Sequence, residues 1–575
     1  MKFLLPLVRR MFFTIIVILA VPLSLTLGIH AQKPTVGLLQ YVNEQEQQDQ
    51  QEGYVLFAPI SSTTTYLIDK CGRKVHSWNS TYKPGLSVYL LPDGSILRTG
   101  NTGNPIFQLG GGTGGIIEKI SWEGSVVWSY KLSSMTTCLH HDIKPLPNGN
   151  ILVVMWSAMP AEQAIAVGRT PSKTGTTIWN EKIIELAPEG TNSASIVWEW
   201  SSWDHLIQDF DQSKSNFGVV ADHPELINTN YITNPNPSNP DWLHFNSIDF
   251  NPELNQIMVS VHTFGEVWII DHSTTTTEAA THVGGASGKG GDLLYRWGNP
   301  IAYNRGTADN RIIYGQHNAS WIPKGLVDGG KIMVFNNGYN RSDDSSFSSV
   351  DIFSPTLDSK GNYTLAIGKP YSPEVPDWRY TDDIPSKFFS TSHSSAQRLP
   401  NGNTLICAGT QGLAFEIAPD KKIIWEYKNP ITINGIAKQG DNVGVSTNIV
   451  FRMYLYPIDF KGFTNRTFES GEPIELDPYP SLCSTTFVEF DDKNTNITVF
   501  PQPAEDLLEI QFPERSTQPT EILLINLFGN IMSSKTVSYP ANSCTVDVSN
   551  IPAGMYALKI SNQSYTTVKK VNIVK

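Results

Sequence analysis

At four places in this 575-residue chain a histidine stands six to eight residues ahead of a turn proline: His140 and His141 before Pro147, His244 before Pro252, His317 before Pro323, and His393 before Pro400. The local strings are LHHDIKP, LHFNSIDF, GQHNASWIP and TSHSSAQRLP. The chain has only 12 histidines, so four in matching positions point to a shared task rather than to isolated core residues. Imidazoles gathered in one place can serve as metal ligands, as cations and donors around an anion, or as a nucleophile with charge-binding neighbours. A zinc centre needs three or four closely placed donors. Here the ligands would have to reach across a channel, so no metal is assigned to these positions and no cofactor is expected. Arg341 ends VFNNGYNR, the strand that follows the His317 hairpin, and its planar fork suits two oxygens of a tetrahedral oxyanion. Asn318, beside His317, offers a further donor.

The elements that must position these residues are repeated. LPDGSILRT (91–99), LPNGNILVV (146–154), FNPELNQIMVSV (250–261), IPKGLVDGGKIMVF (322–335) and LPNGNTLIC (399–407) share an apolar lead, a turn holding Pro with Gly or Asn, and an apolar strand. Proline presets φ, and Gly or Asn accepts the left-handed geometry of a tight hairpin. A second motif follows: VVWSY (126–130), IVWEW (196–200) and IIWEY (423–427), each preceded by another strand and turn. Each unit therefore holds about four strands, and the spacing over residues 33–470 fits six units. Radial repetition of four-stranded sheets is the β-propeller. The expected fold is all-β, a six-bladed propeller followed by a small C-terminal β-sandwich. One unit draws on both ends of the region, with residues 53–78 pairing with NIVFRMYLY (448–456). Rotation about the propeller axis then turns the matched histidines into a ring at one level of the central channel.

The remaining sequence bounds the rest of the molecule. Charged residues are 17% of the chain, while Gly 44 and Pro 37 favour a turn-rich β protein and exclude a coiled coil. A net charge of −12 argues against a nucleic-acid partner, and any anion site must concentrate its cations locally. Residues 1–31 combine Lys2, Arg9 and Arg10 with an apolar run and read as a signal peptide cut near Ala31, leaving no stable membrane span after processing. Residues 32–52 read as a polar linker, 53–470 as the propeller, 471–489 as a second linker, and 490–575 as short alternating strands of a sandwich. Five separated cysteines lack metal or redox spacing. GGGTGG (110–115) precedes a strand rather than the helix a phosphate loop needs, and GGASGKGGD (284–292) lacks the Lys-Ser/Thr ending of a P-loop. Both are read as loops. Glu253 and Glu266 are read as solvated rather than as a glycosidase pair.

HHDIKPLPNGNIL, DWLHFNSIDFNPELNQIMVSVHTFGEVWIIDHSTTT, GKGGDLLYRWGNP, QHNASWIP, VFNNGYNR and AQRLPNGNTLICAG resemble the bacterial arylsulfate sulfotransferases and their exported relatives over roughly residues 50–465. The resemblance implies ping-pong sulfuryl transfer from a phenolic sulfate donor to a phenol acceptor, without a nucleotide sulfate donor. It also implies that His244 and His317 bind sulfate, Arg341 clamps charge, and His393 is transiently sulfated, with His141 or His262 as the alternative nucleophile. A non-catalytic ligand-binding propeller and a metal-dependent hydrolase are the competing readings. VFPQPAEDLLEI (499–510), LFGN (527–530), IPAGMYALKI (551–560), Lys569 and Lys570 resemble the C-terminal sorting domain of the type IX secretion system. That second resemblance implies the type IX machinery as a partner and a secreted or cell-surface location.

Overall fold

The proline turns close hairpins. Gly94, Gly149 and Gly402 sit at φ of 84°, 88° and 90°, and their amides return to the carbonyls of Leu91, Leu146 and Leu399 at 2.9, 3.0 and 2.9 Å. A side chain is strained at such φ, which is why these turns carry glycine. The computed structural model describes residues 33–39, 49–231, 236, 239–341, 345–479, 497–516, 519–526, 531–538, 541–562 and 566–575. The expected leader (1–31), half of the two expected linkers, and LFGN (527–530) lie outside the described residues.

Strands dominate, and the few helices are short. Among the described residues, six antiparallel sheets each carry four strands in meander order. Their first strands are Pro84–Leu90, Thr137–Pro145, Phe245–Asn251, His317–Trp321, Ser395–Arg398 and Val450–Pro457. Each first strand touches the first strand of the next sheet, and the sixth touches the first. The sixth sheet is built from both ends of the region, because Val450–Pro457 pairs with Gly53–Pro59. Gly37–Leu38, within the stretch read as a linker, adds a short fifth strand to Ile423–Lys428, with Val36 and Leu38 buried.

Side chains join sheet to sheet at two levels. Near the axis, Asp142 Oδ2 accepts from Ile248 N at 3.1 Å, Ser247 Oγ from Ala319 N at 3.1 Å, and Asn318 Oδ1 from Ala396 N at 3.0 Å. Gln397 then exchanges two bonds with Leu455, and Tyr456 Oη accepts from Leu90 N. At the outside, the Trp of each fourth strand reaches the next sheet. Trp78, Trp128, Trp200, Trp297 and Trp425 donate Nε1–H to carbonyls of Ser121, Ser193, Gly291, Pro373 and Lys70 at 2.7–3.0 Å. Trp378 instead lies under the cationic heads of Arg398 and Lys421. These tryptophans fasten sheet to sheet: a large apolar body fills the gap, and the one polar hydrogen reaches a carbonyl of the neighbouring sheet, while Trp198 of IVWEW donates to Thr274 Oγ1 at 3.2 Å.

In the C-terminal region, Thr498–Phe500, Leu507–Ser516 and Ala541–Asp547 form one sheet, and Ile531–Val537, Thr520–Asn526, Gly554–Ser561 and Thr566–Ile573 another. Leu508, Ile510 and Val546 from the first share a core with Leu524, Leu558, Ile560 and Val571 from the second.

Glu266 corrects the sequence reading. It is fully buried, not solvated, and is bound by Arg296 at 2.5 and 3.0 Å, with Trp268 donating as well. Glu253 does lie at the surface, paired with Lys324. Removing one member of a buried pair strands a charge, a loss of about 3–5 kcal/mol. Arg296→Met should therefore lower the chemical-unfolding midpoint strongly, and Glu266→Leu with Arg296→Met should recover most of it. Equal midpoints for Arg296→Met and wild type would remove this pair from the account of the fold.

Candidate functional site

The first strands carry backbone irregularities where the site lies. His141, His244, Asn318 and His393 have φ of 50°, 57°, 52° and 58°. The register slips beside three of them, between Val153 and Met155, between Phe245 and Ser247, and between His317 and Ser320. A left-handed residue with a side chain costs about 1–2 kcal/mol, and four in equivalent places mark a site that the surrounding sheets hold against strain. Each bulge turns one side chain out of the alternating strand pattern.

Those side chains meet. Ring centroids lie 4.5 Å apart for His141 and His244, 5.0 Å for His244 and His262, 5.4 Å for His262 and His317, and 6.2 Å for His317 and His393. Phe451, on the first strand of the sixth sheet, closes the circle at 6.0 Å from His393 and 6.4 Å from His141. Five imidazoles and one phenyl thus form a continuous ring. His262 comes from a second strand's end rather than a first strand, and its amide donates to the His244 carbonyl at 3.1 Å.

The ring is electrically uneven. His244 Nδ1 lies 2.5 Å from Asp241 Oδ2. Burial works against its charge, but Asp241 and then Glu181 more than offset that, so its pKa stands above the ordinary histidine value. The others go the opposite way. Burial first, and then the His244 charge, hold His393 at about 4 and His262 at about 3. Burial and neighbouring imidazoles push His141 and His317 well below the usual range. His244 is therefore the ring that takes a proton most readily, and its neighbours resist one.

Hydrogen bonds set the tautomers. His393 N–H donates to His317 Nε2 at 3.2 Å, so His317 carries its proton on Nδ1, which faces Asn337 Oδ1 at 2.8 Å. Both nitrogens of His317 are thus engaged, and it holds the His393 backbone. His393 Nδ1 meets Ser392 Oγ at 2.8 Å, which leaves Nε2 as the nitrogen not used in that bond. Behind His141, His140 Nδ1 lies 2.9 Å from His141 Nδ1 and His140 Nε2 lies 2.9 Å from Glu181 Oε2, while the His140 ring stacks on Trp156 at 3.8 Å. Burial and then Asp241 raise the Glu181 pKa well above the ordinary carboxylate value. Gly112 covers His141: a Cβ there would fall 2.4 Å from the ring, so the glycine-rich 110–115 loop is a close-fitting lid on an imidazole.

Asn318 sits beside the ring rather than in it, donating to Tyr454 Oη at 3.0 Å. Behind it lies a buried layer that sequence reasoning missed. Arg452 binds Asp142 Oδ2 at 2.7 Å, and Tyr89 Oη donates to Asp142 Oδ1 at 2.9 Å. Asp241, Glu181 and Phe451 were missed too. Beyond this layer, toward the proline turns, is a cavity of 580 Å³ lined in part by Lys144, Asp249, Gln397 and Tyr454, and by none of the five histidines. Arg341 packs its guanidinium on Phe347 and Tyr314, at 3.9 and 5.2 Å, and donates Nε–H to the Phe347 carbonyl at 3.4 Å. Its loop is tied to the His317 segment by the amides of Gly338 and Tyr339 on Tyr314 O.

The architecture is all-β, a closed circle of four-stranded sheets around a ring of buried, strained histidines. The model of the arylsulfotransferase (ASST) family matches residues 39–449, and the chain belongs to that family. The model of a secretion system C-terminal sorting domain matches residues 498–575, and this tail marks the chain for export to the cell surface or beyond. No curated protein matches. Solved structures with similar folds include a Bacteroides caccae protein of unknown function, 12% identical with a TM-score of 0.37, covering 70% of this chain and 98% of its own. The Pseudomonas aeruginosa periplasmic gluconolactonase is 11% identical with a TM-score of 0.33, covering 71% and 99%. Virginiamycin B lyase from Staphylococcus aureus is 10% identical with a TM-score of 0.30, covering 68% and 88%. At these scores the three similarities carry no argument about this chain.

The charge of His244 is testable directly. Nitrogen NMR of the full chain should show His244 titrating above the ordinary histidine value and His393 near 4. Asp241→Asn removes the counter-charge, so burial should then drive His244 neutral at pH 7. An unchanged His244 titration in that variant contradicts the assignment.

Proposed function

We propose that this protein is an exported aryl-sulfate sulfotransferase that moves a sulfuryl group from a phenolic sulfate ester to an acceptor phenol through a sulfated histidine, without a nucleotide sulfate donor. The observation that carries the reading is the one cationic imidazole, His244 on Asp241, set among neutral imidazoles that include His393. A nucleophile must keep its lone pair and a leaving phenoxide needs a proton. His393, neutral down to about pH 4, supplies the first through Nε2. His244 supplies the second.

In the first half-reaction, Nε2 of His393 attacks sulfur, the sulfur–oxygen bond to the aryl group breaks, and the phenoxide takes the His244 proton. In the second, the neutral His244 accepts the proton of the acceptor phenol, whose oxygen attacks sulfur as the N–S bond breaks. In this reading His317 positions His393 and Arg341 binds sulfate oxygens, while Asn318, its amide engaged by Ala396 N and Tyr454 Oη, reaches sulfate only by giving up the Tyr454 bond. His141 and His262 line the sulfate pocket, and Phe451 packs against the aryl ring. The six sheets are read as blades of a six-bladed propeller (53–470), and the two C-terminal sheets as a β-sandwich sorting domain (490–575) recognised by the type IX machinery. Residues 1–31 serve as the signal peptide. No helix among the described residues is long and apolar enough to cross a membrane.

Purified protein given a chromogenic aryl sulfate and a phenol should release the chromogenic phenol, and intact-mass measurement on donor alone should show one added sulfuryl group. His393→Ala should abolish that adduct. Asp241→Asn should lower kcat by about 10²–10⁴-fold, the usual contribution of a positioned acid. The rate should fall as pH drops toward 4, where His393 protonates, and also as pH rises through the raised His244 value, where the acid is lost. Phenol release undiminished in His393→Ala would rule out His393 as nucleophile.

A further inference from the structure

Away from the axis, three side chains converge that the proposed transfer does not use. His205 ends the turn Ser202–His205 after the fourth strand of the second sheet, while His282 and Asp292 bracket the glycine-rich segment before the fourth strand of the third sheet. His205 Nδ1 and His282 Nδ1 each lie 2.8 Å from the same oxygen, Asp292 Oδ1, and the three donor atoms all lie within 4.8 Å of one another.

The tautomer of His205 is fixed from outside. Its Nε2 faces the Ala279 carbonyl at 2.9 Å, and a carbonyl only accepts, so Nε2 carries the hydrogen. The Nδ1 nitrogen of His205 is thereby directed at a carboxylate oxygen of Asp292, 2.8 Å away. A second imidazole nitrogen aims at the same oxygen. An imidazole oriented by a backbone carbonyl on one nitrogen, with its other nitrogen beside a carboxylate, is the usual support of a metal-bound histidine. His205 is completely buried and stacked parallel to Trp200 at 5.4 Å, so its ring cannot swing away. Asp292 is buried as well, whereas the His282 side chain is 59% exposed, which gives an entry path and a place for a water ligand.

The loop is shaped for this convergence. Gly284, Gly285, Gly288 and Gly290 all have positive φ, turning the chain back so that Asp292 meets His282. At Gly291 a Cβ would lie 2.0 Å from Ala279 O and 2.6 Å from His205 Nε2, so only glycine lets the backbone pass over the buried imidazole. Trp200 Nε1 fastens the same point by donating to Gly291 O at 2.7 Å.

We propose that His205, His282 and Asp292 bind a first-row divalent cation, zinc by their two-nitrogen, one-oxygen donor set, and that the ion clamps the 283–291 loop between the second and third sheets. Calcium and magnesium are disfavoured because they need six or more oxygens or near-octahedral oxygen sites. With three protein donors, a tetrahedral ion keeps one position for water. The site is independent of the histidine ring and of the transfer reaction.

The test uses the full chain with any affinity tag removed, equilibrated with Zn²⁺ or Co²⁺, dialysed, and measured by elemental analysis, visible absorption and thermal unfolding. Wild type should retain a stoichiometric ion, show the intense visible bands of tetrahedral Co²⁺, and lose thermal stability with EDTA. His282→Ala, at an exposed position that should not perturb folding, should lose the ion and become insensitive to EDTA. Three outcomes would each overturn the proposal: no retained ion in wild type with an unfolding midpoint unmoved by Zn²⁺ or EDTA, which marks a hydrogen-bonded imidazolium cluster; retention unchanged in His282→Ala; or equal retention of Mg²⁺ or Ca²⁺.

Discussion

The contact between Asp241 and His244 decides the chemistry of the axis. Five imidazoles packed ring against ring in a buried space cannot share several charges, because each added charge repels the next at low dielectric. A carboxylate at 2.5 Å selects which ring takes a proton most readily, and burial first, then the His244 charge, depresses its neighbours His141, His262 and His393. Remove the carboxylate and all five are subject mainly to burial, which favours neutrality. The division between acid and nucleophile in the proposed reaction depends on that asymmetry.

Holding such a ring has a structural cost that the sheets around it offset. Two left-handed residues lie within first strands and two just before them, and beside three of the four the ladder register slips. These irregularities are met by side chains that cross from one sheet to the next, such as Asp142 to Ile248, Ser247 to Ala319 and Asn318 to Ala396. Asn318 does both jobs: it is a left-handed residue whose carbonyl oxygen joins the fourth and fifth sheets. The outer Trp fasteners supply the rest of the closure, so the geometry at the axis is set by packing at the perimeter as well as by local bonds. The Asp142–Arg452–Tyr89 layer separates the ring from the cavity at the proline-turn end, and so assigns the two ends of the channel different environments.

The glycine-rich segments illustrate how one composition serves several purposes. In 110–115, Gly112 brings a loop down onto His141; in 284–291, Gly291 lets a loop cross His205. In both, the missing side chain makes room for an imidazole, which is a tertiary fact that no local pattern of glycines contains.

Periodicity made much of the architecture legible. Alternating apolar residues, Pro-Gly turns and the Trp strand announced repeated four-stranded sheets, and matched offsets from the turn prolines picked out His141, His244, His317 and His393, because equivalent positions in a repeat must occupy equivalent places. What escaped were the residues that do not repeat. Asp241, Glu181, Phe451 and Arg452 come from different strands and loops and share no spacing with the histidines; His262 was visible only as an alternative. The sequence by itself determined the repeated sheets and the matched histidine positions, since both follow from local turn geometry and the two-residue period of a strand. Only the tertiary structure decided which imidazole is charged, which tautomer each adopts, and that Glu266 is a buried ion-pair partner, because protonation depends on burial and on carboxylates far away in the chain.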